Sequence, residues 1–275
     1  MNTHILNIYH ILIVIILGTI EGITEFFPIS STSHTIILSD IFQIDKNEAK
    51  FLNIFMQFGA SLSILLYFKN TFIKLFDSIF KTHKKCINNY NLSCYHVFLG
   101  IFPTILLGSY YYKYIQSLFN PKSILLSLIF GSILLTLSEI FKKKIKYKNE
   151  NINLFKSLTI GCFQCLALWP GFSRSCSTIS IGVLIGLNQR TATHFSFIIS
   201  VPIFFGATIL DIINNIHTIQ LHNLFILSVG FLSSFITSRI CINKFLKIIN
   251  VCSFTPFIIY RLILSIIIYL CFYRS

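Results

Sequence analysis

The feature that most constrains this chain is a series of apolar blocks, each about 20 residues long and hydrophobic all round, with no polar face to meet water. A helix of about 20 residues matches the roughly 30 Å hydrocarbon core of a bilayer, where every backbone polar group must find an internal partner. Six blocks are long enough to cross: 51–68, 96–113, 122–141, 193–214, 222–243 and 254–272. Composition agrees: 54% of the 275 residues are hydrophobic and 11% are charged, against about a quarter charged in a soluble domain. The expected fold is an all-α polytopic membrane protein, with one integral membrane domain over 1–275.

Two further apolar regions, 5–44 and 154–189, read differently. Polar stretches rich in Gly, Pro and Ser split each of them: EGITEFFPISSTSH at 21–34 and PGFSRSCST at 170–178. Irregular backbone at membrane depth is tolerated only inside protein or beside a wet cavity. Each region therefore predicts a re-entrant helix–loop–helix pair. A shift of 143 residues places Gly18 on Gly161, Glu21 on Gln164, Ser30 on Ser173, Thr32 on Ser175 and Ser33 on Cys176. Three spans follow each broken region, and an odd number inverts what comes next. The segments 1–141 and 154–272 are thus expected as an inverted-topology repeat, with broken helices meeting near the midplane.

The formal charge of +13 suggests nucleic acid only until its placement is read. The basic residues fall in short loops: Lys69, Lys74, Lys81, Lys84 and Lys85; Lys142, Lys143, Lys144, Lys146 and Lys148; Arg239, Lys244 and Lys247. All three loops share one face of the expected topology, which makes that face cytoplasmic. The opposite face has only Lys46, Lys50, Lys113, Lys122 and Arg274, so both termini are expected outside the cytoplasm. This pattern excludes a nucleic-acid partner and implies contact with membrane lipids. Most of the eight cysteines lie in apolar blocks, and the Cys162/Cys165 pair lacks the second pair a zinc site needs. The N-terminal apolar run leads into a polar motif rather than a small-residue cleavage site, so no cleavable signal peptide is expected.

Ionisable residues inside apolar blocks cost about 2.5–3.5 kcal/mol on insertion scales and are functional candidates. Glu21 and Glu25 lie one helical turn apart on a shared face. Two close carboxylates call for a cation or proton between them, and Mg²⁺ or Ca²⁺ bound by such oxygens bridges readily to phosphate. Pro28 then breaks the chain, Ser30, Ser31 and Thr32 supply hydroxyls at a new helix start, and His34 follows within a turn. The second break offers Ser173, Arg174 and Ser175 in the same setting, with Thr178 nearby. Arg174 suits phosphate oxygens, and it also suits a buried pairing with Glu21 or Glu25. Together these groups form a phosphoryl-transfer kit placed at membrane depth, which favours a lipid-linked phosphate substrate. A transporter or lipid flippase without hydrolysis is the rival reading. The clustering of nucleophile, base and metal-binding types exceeds what holding a phosphate requires.

The motifs 21–34 and 168–178, with MQFGASL at 56–62, HFSFIISVP at 194–202 and FIIYRLIL at 257–264, closely resemble the signatures of undecaprenyl-diphosphate phosphatases of the bacitracin-resistance type. That resemblance implies hydrolysis of a polyprenyl diphosphate to the monophosphate. Such hydrolysis recycles the carrier lipid of peptidoglycan synthesis in a bacterial inner membrane, and raised enzyme levels confer bacitracin resistance. It puts the family's acidic pair on Glu21 and Glu25 as metal ligands and its Ser-Ser-Thr on Ser30, Ser31 and Thr32. Its histidine falls on His34, and its Ser-Arg-Ser on Ser173, Arg174 and Ser175 with Thr178. Ser31 is implied as nucleophile with His34 as base or acid, with His34 itself or a metal-activated water as the alternatives. Ser33 and Cys176 stand where the family usually has Gly, Asn53 where an acid is common and His194 where Arg is common. The oligomeric state stays open, a homodimer included.

Overall fold

Apolar blocks become helices and polar breaks become helix boundaries in the computed structural model, which describes residues 2–80, 92–144, 151–215, 221–249 and 252–273. The elements are α1 (Asn2–Thr24), α2 (Ser31–Ile41), α3 (Lys46–Tyr67), α4 (Lys69–Phe80), α5 (Cys94–Tyr110) and α6 (Tyr112–Ser117). They continue with α7 (Pro121–Lys142), α8 (Leu154–Gln164), a 3₁₀ turn at Cys165–Leu168, α9 (Arg174–Leu184), α10 (Gln189–Asn215), α11 (Leu221–Ile249) and α12 (Thr255–Tyr273). Among the described residues, five helices are long and apolar enough to cross a bilayer: Lys46–Tyr67, Pro121–Lys142, Gln189–Asn214, Leu224–Ile249 and Thr255–Phe272. The protein is an all-α, multi-pass membrane protein.

The block 96–113 takes a shorter form than its apolar length suggests. α5 has 17 residues, Tyr111 interrupts it and α6 follows. At that point the Ser109 hydroxyl donates to the Ile105 carbonyl at 2.7 Å, and such back-bonding tends to bend a helix. The basic stretch after Tyr67 also differs from a plain loop, since it begins as α4, which buries Leu75 and exposes Ile73 and Phe76. Lys81, Lys84, Lys85, Lys146, Lys148 and Arg274 lie outside the described residues.

Both broken regions fold by one local plan. Ser30 and Ser173 adopt positive φ, 72° and 75°, and each hydroxyl accepts from the backbone N–H three residues on, at 3.2 Å. A side-chain-bearing residue held at positive φ is costly and persists only where its surroundings over-determine it. Here the N-cap hydrogen bond and the preceding Pro28 or Pro170-Gly171 turn supply that determination. The two caps, the helices they open (Ser31 and Arg174) and the next long helices (Lys46 and Gln189) all start 143 positions apart.

Packing follows the same correspondence. α1 lies against α11 and α2 as α8 lies against α5 and α9, and α3 packs on α10 and α7 on α12. Close approach depends on small residues at the crossings, as membrane helices require. A Cβ on Gly18 would sit 1.9 Å from the Ser233 hydroxyl, and one on Gly161 would sit 2.6 Å from the Leu99 carbonyl. An aromatic cluster anchors the first loop in the core: Phe26 meets Phe197 edge-on at 5.7 Å and Phe27 meets Phe245 at 4.7 Å. These pairs fix the chain just before the Ser30 cap.

Candidate active site

Both loop tips end at one cavity of about 370 Å³. Its polar end is lined by Glu25, Ser30, Ser31 and Thr32 from the first loop and by Ser173, Arg174 and Ser175 from the second. Two helix N-termini thus converge there, and their positive dipole ends favour an anion. Apolar wall comes from Ile105, Leu168, Ile203, Phe204 and Leu210, and Lys50, Tyr112 and Asp211 line the cavity as well.

Glu25 links the two halves. Its Oε2 accepts from the Ser31 hydroxyl at 2.6 Å, and its Oε1 lies 3.2 Å from Arg174 Nη2. Both charged side chains are buried, so each depends on the other. Arg174 Nη1 donates to the Ser196 carbonyl (2.9 Å) and hydroxyl (3.0 Å), and the guanidinium lies 5.3 Å from the Phe204 ring centre. Thr178 bonds the same Ser196 hydroxyl at 2.6 Å, which places Thr178 behind Arg174 rather than at the cavity wall. Ser175 donates to the Phe27 carbonyl across the two loops at 3.1 Å.

Glu21 is fully buried one turn before Glu25, and neither of its oxygens has a hydrogen-bond partner. A carboxylate so placed is tolerated only as the neutral acid or beside a cation. With Glu25 and Ser31 close by, the donor set fits a hard divalent ion. Among the described residues no group of three His, Cys, Asp or Glu side chains forms a metal cluster. Such an ion would draw its remaining ligands from hydroxyls, water or phosphate oxygens.

His34 differs from its expected pairing with Ser31. Its Nδ1 lies 2.6 Å from the Ser30 carbonyl, which can only accept, so that nitrogen carries the proton. In the neutral ring Nε2 then accepts from the Tyr260 hydroxyl at 2.6 Å. Both nitrogens are engaged away from Ser31, whose own hydroxyl turns to Glu25. The helix explains this: a side chain four residues after Ser30 folds back over the turn that begins α2, onto the carbonyl of its cap.

Several residues at the site were given no role by the sequence reading. Ser196 and Tyr260 are the partners of Arg174 and His34. Asn53 accepts from Thr35 at 2.8 Å and Gln57 donates to Thr32 at 3.2 Å, from one face of α3. Their spacing of four within an apolar span was an available signal. Arg261 is wholly buried and donates to the Pro28, Ser127 and Leu128 carbonyls, which makes it a brace beneath the first loop. The replacements of Gly are accommodated: Ser33 bonds Ser30 at 2.8 Å, and the Cys176 thiol bonds the Gly131 carbonyl at 3.3 Å. His194 packs edge-on against Phe68 at 5.5 Å and does not line the cavity. Cys162 and Cys165 form no disulfide.

Residues 14–267 match the family model described as bacitracin resistance protein BacA. The chain is 53% identical to an undecaprenyl-diphosphatase of Buchnera aphidicola subsp. Baizongia pistaciae, over 99% of this chain and 98% of the relative. It is 47% identical to the one of Buchnera aphidicola subsp. Acyrthosiphon pisum (strain Tuc7), over 96% and 98%. A Baumannia cicadellinicola undecaprenyl-diphosphatase is 38% identical over 96% and 98%. With both signatures, a matching family model and full-length relatives, this chain belongs to the bacitracin resistance protein BacA family.

Proposed function

We infer that this protein hydrolyses undecaprenyl diphosphate to undecaprenyl phosphate and phosphate, recycling the carrier lipid for cell-wall synthesis and conferring bacitracin resistance. The observation that supports it best is the buried Ser31–Glu25–Arg174 chain at the junction of two helix N-termini. The cavity that contains it combines hydroxyl and charged groups with apolar wall, which suits a diphosphate carried on a lipid chain.

Ser31 attacks the terminal phosphorus, and its proton passes to Glu25, already 2.6 Å away. The bond from that phosphorus to the bridging oxygen breaks. The lipid monophosphate leaves with the bonding electrons and takes the proton from Glu25. Arg174 and the N–H groups at the starts of α2 and α9 hold the charge on the phosphoryl oxygens. Water then cleaves the phosphoserine, giving one proton to Glu25, and the Ser31 hydroxyl is restored as phosphate departs. His34 holds the loop through Ser30 and Tyr260. Glu21 and Glu25 would hold Mg²⁺ or Ca²⁺ as the cofactor, and such an ion would neutralise charge on the diphosphate.

The same reading makes the halves an inverted repeat in a bacterial inner membrane. Lys142, Lys143 and Lys144 at the end of α7 and Lys244 and Lys247 near the end of α11 support a cytoplasmic face there. The cavity is lined by Lys50, near the start of α3, and Asp211, near the end of α10, which supports an opening toward the opposite face.

Phosphate release from undecaprenyl diphosphate by the detergent-purified protein tests this, with added Mg²⁺ or Ca²⁺ and with chelator. Metal-dependent release lost in Ser31→Ala and Arg174→Ala, both still folded, is the expected result. No release by folded wild type under any metal condition would sink it.

A further inference from the structure

The phosphate cavity has a neighbour. A shallow groove opens to the outside of the protein between the end of α5, α6, the start of α7 and the 3₁₀ turn after α8. Its walls include Leu107, Tyr111, Tyr114, Leu126 and Trp169. Leu107, Tyr111, Tyr114 and Leu126 are exposed, so the groove is accessible from the surrounding bilayer. Ile115 and Leu168 line both the groove and the cavity, so the two spaces share a wall.

Two interruptions of regular helix make this concavity. Tyr111 separates α5 from α6, and the 3₁₀ turn ends at Trp169 before the second signature loop. Trp169 is fixed there, since its indole N–H donates to the Ser123 hydroxyl at 2.6 Å and its ring lies 5.7 Å from Phe130. The wall is pinned rather than adaptable.

We propose that this groove binds the isoprenoid chain of the substrate, with Ile115 and Leu168 as the threshold between diphosphate and tail. The proposal rests on the phosphatase reading above. The diphosphate takes the polar end of the cavity, and the attached chain must leave by an apolar route. Ile115 and Leu168, common to both linings, put the Tyr114–Leu126–Trp169 groove directly beside the cavity, and it is the neighbouring apolar surface for the chain to take. A stiff, methyl-branched chain gains contact with pinned aromatic walls, while its burial needs no new polar partner. The groove is then a specificity device: it adds affinity for long prenyl diphosphates and does little for short ones.

The test compares undecaprenyl diphosphate with geranyl diphosphate in detergent and reads the ratio of their kcat/KM values. Leu126→Trp fills the groove, and Ile240→Trp, at an exposed position on α11, is the control. The ratio is expected to fall about tenfold or more in Leu126→Trp, mainly through KM for the long chain, and to stay at the wild-type value in Ile240→Trp. An unchanged ratio in a Leu126→Trp protein that still hydrolyses both substrates overturns the groove. So does an equal fall in both variants, which would mean bulk lipid contact only. A photoreactive prenyl diphosphate provides an arm that needs no turnover. Adducts on Tyr114, Leu126 or Trp169 support the groove, and adducts confined to other helices overturn it. If wild type cleaves neither substrate yet labels the groove, the phosphatase reading fails and the tail site stands.

Discussion

Glu25 holds partners of opposite kind, a hydroxyl proton and a guanidinium, and removing it strands both. Glu25→Ala leaves Arg174 buried without a counter-charge, a loss of about 3–5 kcal/mol. Glu25→Gln keeps the volume and one acceptor for Arg174, while its amide nitrogen can only donate, so the Ser31 hydroxyl loses its proton acceptor. Phosphate release is expected to fall roughly 10²–10⁴-fold in Glu25→Gln, with the melting temperature in detergent falling less than in Glu25→Ala. Wild-type turnover in Glu25→Gln would assign the proton elsewhere. Glu21 has a separate signature: Glu21→Gln, which removes the buried charge, should raise the metal concentration needed for half-maximal release. Arg261 acts through the Pro28 carbonyl beneath the catalytic loop. Arg261→Met strands buried carbonyls at about 1–3 kcal/mol each, so both thermal stability and kcat should drop, with KM less affected. A variant as stable as wild type would remove that positioning role. Asn53, Gln57 and Arg261 were readable as polar residues in apolar spans. Their partners, Thr35, Thr32 and the loop carbonyls, were not readable, because those contacts join segments distant in sequence.

At the scale of elements, the two broken helix pairs depend on close helix crossings. Gly18 faces α11 and Gly161 faces α5, each with no room for a Cβ. Gly18→Leu and Gly161→Leu should each force the crossing apart and lower the melting temperature in detergent by several degrees, an overpacking cost of roughly 1–3 kcal/mol. Similar losses in the two variants fit equivalent roles; a loss in one alone would separate them. The broken regions were legible because proline removes a helix hydrogen bond and a run of polar side chains cannot face lipid, so a stretch with both must end one helix and start another inside the protein. The Ser caps fall where the motifs place them. The interruption at Tyr111 was not legible. Ser109, Tyr110, Tyr111 and Tyr112 lie within a continuous apolar stretch, and hydropathy registers length rather than local backbone competition.

For the whole molecule, Lys50 and Asp211 line the cavity on the side opposite the Lys-rich helix ends. Tyr112 donates a short hydrogen bond to Asp211, and the Lys50 ammonium lies 5.9 Å from the Tyr112 ring centre, so α3, α6 and α10 meet there. Ser30→Cys, at the wall of the cavity, should react with an impermeant thiol reagent added outside intact cells, in a background lacking the other cysteines. Labelling only from the cytoplasmic side would reverse the orientation. The sequence by itself determined the membrane class, the two broken regions, their 143-residue correspondence and the residues that form the polar end of the cavity. These follow from hydropathy, turn chemistry and the cost of burying charge, which are local quantities. The tertiary structure alone decided that Ser31 turns to Glu25 while His34 turns to Ser30 and Tyr260, and that Arg174 pairs with Glu25 rather than Glu21. Hydrogen-bond partnership depends on ångström-scale distances between helices brought together by packing, and residue order along the chain does not encode those distances one at a time.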